Sequence, residues 1–150
     1  MNSHYDLATQ ALGNSISTDD IVDALEFLDD WESRYSYIID LGKQVPAMPD
    51  ALKTDARIVR GCQSQVWLET RYDPDAKRLW IGIDSDAVIV KGLAAMVLAA
   101  YNGKSPADII AFDIDALFTR LDLMRHLSQT RGNGLRSMVQ RIQDTARTLA

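Results

Sequence analysis

Gln65-Val66-Trp67-Leu68-Glu69-Thr70-Arg71-Tyr72, followed across Asp73-Pro74-Asp75-Ala76-Lys77 by Arg78-Leu79-Trp80-Ile81-Gly82-Ile83, is the stretch that decides the fold. Val66, Leu68, Thr70 and Tyr72 alternate with Trp67, Glu69 and Arg71, the period of two of a strand with one buried side. Leu79, Ile81 and Ile83 repeat that period and point inward. The residues between them are turn chemistry, so the two runs form an antiparallel hairpin with a longer loop. Ile58 to Arg60, just upstream, is a candidate third strand.

Outside the hairpin the period is helical. From Asp86 an almost wholly apolar run continues to Tyr101, with Asp84, Ser85 or Asp86 as cap and Asn102-Gly103 as stop; it reads as a central buried helix. Ser105-Pro106 opens a short helix, and another follows Asp113 or Asp115. Leu135, Met138, Val139, Ile142, Ala146 and Leu149 stripe a final helix. On the N-terminal side, Ser17 with Asp20 is a capping box. Ile21, Leu25, Leu28, Tyr35, Ile38, Ile39 and Leu41 follow at helical spacing. Asp29 with Glu32 repeats the capping pattern, so the helix breaks near Asp29-Asp30, restarts through Trp31 and ends at Gly42. Val45 to Asp55, with Pro46 and Pro49, reads as an ordered loop. Residues 1–18 carry no pattern and are expected to be a loosely ordered N-terminal segment ahead of one domain over 19–150. The class is therefore α+β: a small antiparallel sheet of about three strands packed with several helices.

Composition narrows the partners. The chain has 150 residues, 47% hydrophobic and 25% charged, with a formal net charge of −5. A negative chain is poorly suited to nucleic acid or to anionic membrane surfaces. No apolar run reaches the ~20 residues of a membrane span, and the N-terminus has no signal-peptide pattern. A single cysteine gives no disulfide framework, so a reducing, cytoplasmic setting is expected. Nothing demands more than a monomer.

Several chemistries lack their residues. There is no phosphate-binding G-x-x-x-x-G-K-[ST] loop, and Gly132-Asn133-Gly134 does not follow a strand. His4 and His126 are far apart in sequence, and Asp73-Pro74-Asp75 lacks the glycine and glutamate of a calcium loop. No metal site and no organic cofactor are expected. The pairs Asp84/Asp86 and Asp113/Asp115 read as helix caps, Trp31, Trp67 and Trp80 as core or sheet residues, and His126 as a structural histidine.

One residue stands apart. Cys62 is the only cysteine of the chain. It follows Gly61, which permits a sharp turn, and precedes the polar Gln63, Ser64 and Gln65, so it sits at the mouth of a strand. A lone thiol can serve as nucleophile, oxidation sensor or sulfur carrier, or can be a small packed hydrophobe. The residues alone do not choose among a carrier, a redox sensor or peroxidase-like protein, and a regulatory binding domain with an inert cysteine.

The order of motifs from Trp31 to the C-terminus resembles the SufE/CsdE family of sulfur acceptors for cysteine desulfurases. The motifs are Trp31-Glu32 with Tyr35, Tyr37-Ile38-Ile39-Asp40-Leu41-Gly42, Val59-Arg60-Gly61-Cys62-Gln63-Ser64-Gln65-Val66-Trp67, Asp84-Ser85-Asp86-Ala87 with Ile89-Val90-Lys91-Gly92, and His126-Leu127-Ser128 with Arg131, Gly134 and Leu135. The resemblance implies a fold similar to IscU-type scaffolds. It also implies that Cys62 takes persulfide sulfur from a desulfurase of the SufS or CsdA type, stimulates that enzyme, and passes the sulfur to an iron–sulfur scaffold. It makes Arg131 a candidate thiolate stabiliser, with a surface charge or a salt bridge within the fold as the other reading of that residue. Gly61, Gln63, Ser64, Asp84 and Asp86 become the loop and docking neighbours. Asp84 and Asp86, if close, would raise the thiol pKa and restrain it.

Overall fold

The computed structural model of the chain describes residues 5–62 and 64–150. Strands β1 (Val66–Asp73) and β2 (Arg78–Ser85) form the expected antiparallel hairpin. Leu68 lies opposite Ile83, Thr70 opposite Ile81 and Tyr72 opposite Leu79, so the alternating apolar residues of both strands share one face. That face meets α3 (Val88–Tyr101), whose residues from Ile89 onward are buried except for Lys91. The expected third strand is reduced to one bridge, Ile58 with Trp67, in which the Val59 N–H donates to the Val66 carbonyl at 2.8 Å. Gly61, with φ of +89°, turns the chain before pairing can extend.

The outer face of the hairpin is also covered. Tyr5, Leu7, Met48, Leu52 and Trp67 form a second apolar cluster there. The expectation of a loose segment over 1–18 is therefore corrected for residues 5–17. Tyr5 and Leu7 are 3% and 2% exposed, Leu12 is fully buried in the main core, and Arg71 donates to the Tyr5 carbonyl at 2.6 Å. Gly82 leaves the space that the Tyr5 ring occupies. The outer edge of β2 is occupied as well. The Ile81 N–H donates to Asn102 Oδ1 at 2.8 Å, and Gln10 Nε2 donates to the Ile81 carbonyl at 2.7 Å. Leu79 pairs with the turn after α3, its N–H to Lys104 O and its carbonyl from the Gly103 N–H, both at 2.9 Å.

Helices α1 (Thr18–Phe27) and α2 (Trp31–Gly42) break where the capping patterns lie. Ser17 and Asp20 cap α1 reciprocally, as expected. The cap of α2 is Asp30, which accepts from the Ser33 N–H at 2.7 Å, and not the Asp29–Glu32 pair. Helix α2 lies on α3 through two glycines. A Cβ on Gly42 would stand 2.8 Å from the Gly92 nitrogen, and one on Gly92 would run into the Ile38 carbonyl. Two short helices follow, α4 (Pro106–Ala111) capped by Ser105 and α5 (Ile114–Arg120) capped by Asp113. The C-terminal α6 (Gln129–Leu149) buries Leu135, Met138, Ile142 and Ala146 against the core, the stripe read from its spacing. Among the described residues no helix is long and apolar enough to cross a membrane.

Candidate functional site

The chain between the Ile58–Trp67 bridge and its return is a short loop pinned at several points. Its base is closed by the Val59–Val66 hydrogen bond. Beside it, the Gln65 N–H donates to Asp86 Oδ1 at 3.1 Å while the Asp86 N–H donates to the Gln65 carbonyl at 3.3 Å. Arg141 of α6 donates to the carbonyls of Ile58 and Ala56, each at 2.8 Å. Gly61 turns in the left-handed region against α6, where an added Cβ would lie 2.9 Å from Ser137 Oγ. Cys62 follows on the tip; Gln63, expected as a neighbour, lies outside the described residues.

Cys62 is half-buried. Its Sγ lies 3.7 Å from the Gly134 carbonyl, to which the thiol donates. A cavity of about 300 Å³ opens beside it, with Val90, Leu93, Leu135 and Met138 as apolar wall and Ser64, Ser128, Thr130 and Arg131 toward its mouth. Burial pushes the thiol pKa up, and no charged neighbour contributes to the shift. The alkylation rate of Cys62 is accordingly expected to keep climbing with pH beyond the ordinary thiol range near 8.5. Titration with iodoacetamide checks this; a half-maximal rate at or below that range would contradict it.

Gly134 makes room for the thiol. A Cβ at this position would stand 3.2 Å from Cys62 Sγ. Gly134→Ala gains up to about 1 kcal/mol of helix propensity, and the group in its way is a side chain that can turn aside. The expected result is unchanged or slightly raised thermal stability together with faster alkylation of Cys62. A destabilised protein with a wild-type alkylation rate would show that the close contact is misjudged.

The two acidic residues of the Asp84–Asp86 turn do different work from that expected. Neither caps α3, whose N-cap is Ala87, a residue that makes no side-chain capping hydrogen bond and whose own N–H donates to Ser85 Oγ at 3.2 Å. Asp84 is 4% exposed and faces the outer cluster. It accepts from the N–H groups of Met48 and Ser85 at 2.9 and 2.8 Å, with Lys91 and Lys53 at 3.4 and 3.7 Å. It ties the loop after α2 to the sheet and does not act on the thiol. Asp86 restrains the Cys62 loop by its hydrogen bonds to Gln65, not by its charge. Asp86→Ala should cost about 1 kcal/mol and speed alkylation of Cys62 by releasing the loop. An unchanged rate would remove Asp86 from the restraint. Arg131 sits in the first turn of α6 at the cavity mouth, exposed and without an ion pair among the described residues.

Sequence reasoning did not place the cavity wall. Its one legible signal was Gly134 within an apolar-striped helix, a residue that weakens a helix unless something approaches closely. Among the described residues no group of three or more His, Cys, Asp or Glu side chains could hold a metal ion.

Known proteins resemble this chain in sequence and in fold. The SufE family, described as an "Fe-S metabolism associated domain", matches residues 19–146. An uncharacterized SufE-like protein of Rhizobium etli is 47% identical over 136 residues, 89% of this chain and 92% of that protein. Another from Rhizobium meliloti is 47% identical over 132 residues, 87% of this chain and 94% of that protein. The solution structure of a hypothetical protein from Thermus thermophilus superposes with a TM-score of 0.70, covering 87% of this chain and 93% of that one. At 17% identity it speaks for the fold alone.

Proposed function

The chain belongs to the SufE family, whose domain is associated with Fe–S metabolism, and from that premise we propose that Cys62 is a sulfur acceptor and carrier serving a cysteine desulfurase of the SufS or CsdA type. The observation that carries the reading is the placement of the chain's only thiol. It stands at the tip of a pinned loop, half sheltered, beside an apolar cavity with space for a further sulfur atom.

The step balances without a cofactor. The Cys62 thiolate attacks the outer sulfur of the donor's cysteine persulfide, a Cys62 S–S bond forms, and the donor's S–S bond breaks with its thiolate as leaving group. The persulfide proton stays on the transferred sulfur, and no electrons leave the pair. In the second step the outer sulfur passes to an iron–sulfur scaffold in the same way. Shelter suits the intermediate, because an exposed persulfide is open to other thiols and to oxidation. The same shelter holds the free thiol protonated, so docking must bring Cys62 out of the cavity, and Arg131 at the mouth is placed to favour the thiolate once it emerges. A redox sensor would want a resolving thiol and a cluster scaffold several thiolates; one cysteine supplies neither.

The test is intact-mass spectrometry after incubation with a cysteine desulfurase and L-cysteine. A gain of about 32 Da per sulfur, mapped to Cys62 and lost on reduction, is expected. No gain with a desulfurase that binds the chain would overturn the reading.

A further inference from the structure

Two of the sequence motifs, Trp31 with Tyr35 and His126-Leu127-Ser128, have no part in the chemistry above, and the fold brings them together. The His126 ring stacks on Trp31 with centroids 3.8 Å apart and planes 20° from parallel. Tyr35, one turn further along α2, tilts against Trp31 at 5.7 Å and donates its hydroxyl to the His126 carbonyl. Arg34 covers Trp31 at 5.1 Å. His126 Nε2 lies 3.5 Å from Asp122 Oδ2, in reach of an ion pair, yet it is buried with no hydrogen-bond partner among the described residues. The ring is therefore held by stacking more than by polar contacts.

What the stack holds is the approach to α6. His126 ends a single 3-10 turn, Met124–His126; Leu127 follows, and Ser128 caps α6 by accepting from the Arg131 N–H at 3.3 Å. Met124 in the same turn fills the space beside Gly132, where a Cβ would stand 2.9 Å from its methyl. Ser128, Thr130 and Arg131 then line the Cys62 cavity, and Gly134 one turn on accepts from the thiol. The mouth of the cavity thus follows a turn that the buried Leu123 and Leu127 seat in the core and that α2 holds at the His126 ring, and α2 is itself locked on α3 at Gly42 and Gly92.

We propose that His126, through its stack on Trp31, is a positioning residue that seats the first turn of α6 over Cys62 and so sets how far the thiol is sheltered. The inference rests on Cys62 being the working thiol for its meaning, but its test uses no partner and no sulfur transfer, so it can fail while the carrier reading stands.

The experiment is the alkylation rate of Cys62 by iodoacetamide against pH, with thermal unfolding measured on the same samples. His126→Ala removes the stack and keeps the Tyr35 hydrogen bond, which goes to the backbone. It is expected to alkylate about threefold or more faster at neutral pH, with the apparent thiol pKa moved toward its ordinary value; half a pK unit alone changes the thiolate fraction by about that factor. His126→Phe restores a flat ring and is expected to return the rate to within about twofold of wild type. Leu12→Ala, fully buried in the N-terminal segment beside the C-terminal end of α3, supplies a loss of stability away from the turn and should leave the rate unchanged. A folded His126→Ala with the wild-type rate and pH profile overturns the proposal. So does His126→Phe behaving like His126→Ala, or Leu12→Ala raising the rate equally. If His126→Ala does not fold, Trp31→Leu decides. It removes the same stack from the α2 side and should speed alkylation, and a wild-type rate there overturns the proposal.

Discussion

Cys62→Ser is expected to accept no sulfur and to carry none to a scaffold, while folding as stably as the wild type to within about 1 kcal/mol. Serine fits the space, since only a half-buried sulfur with one weak hydrogen bond is exchanged. Its hydroxyl stays protonated in the working pH range, however, and an alkoxide is not a sulfur nucleophile at neutral pH. With one cysteine in the chain, no second thiol can take over. Mass spectrometry after incubation with desulfurase and L-cysteine reads the loss directly. Sulfur found on Cys62→Ser, or undiminished sulfur delivery by it, would end the carrier reading. The same variant separates docking from chemistry: if it still binds the desulfurase, the surface around the loop suffices for recognition.

Gly92→Ala is expected to cost about 3 kcal/mol, against a total stability of about 5–15 kcal/mol for a domain. Alanine in a helix interior ordinarily gains about 1 kcal/mol over glycine. Here the new methyl meets the Ile38 carbonyl of α2, a backbone atom that cannot rotate away. The two helices must separate, and the buried apolar contacts between them loosen with that shift. For a chain of this length the melting temperature should fall by about 10 °C. A melting temperature equal to or above wild type would show that α2 and α3 pack less closely than described. Gly134→Ala is the counter-case, because there the obstructing group is the movable Cys62 side chain.

Much of this was legible in the sequence because it follows strong local periods. The hairpin faces were set by Val66, Leu68, Leu79, Ile81 and Ile83, and the observed register keeps them together. The α1 capping box and the Ser105 and Asp113 caps are short-range features, and they appear where the residues place them. The N-terminal segment was missed because Tyr5, Leu7 and Leu12 follow no period; their partners, Arg71, Gly82 and the core under α3, lie far along the chain. Asp84 was misread for a related reason. An aspartate before a helix reads as a cap, and only the fold shows Lys53, Lys91 and the Met48 N–H converging on it. In the site, the glycine–cysteine turn was legible, but the wall made by Val90, Leu93, Leu135 and Met138 was not, because two helices distant in sequence build it.

The occupied edge of β2 bears on how another protein can engage this one. Strand addition, in which a partner's extended segment lengthens a sheet through backbone hydrogen bonds, needs free N–H and C=O groups along an outer strand. At Leu79 and Ile81 those groups are already spent on Gln10, Asn102, Gly103 and Lys104. The middle of that edge is shut to a visiting strand. The sheet's other edge, on β1, is covered only at its start by the Ile58–Trp67 bridge, so a partner's strand is directed to the side of the hairpin that leads into the Cys62 loop.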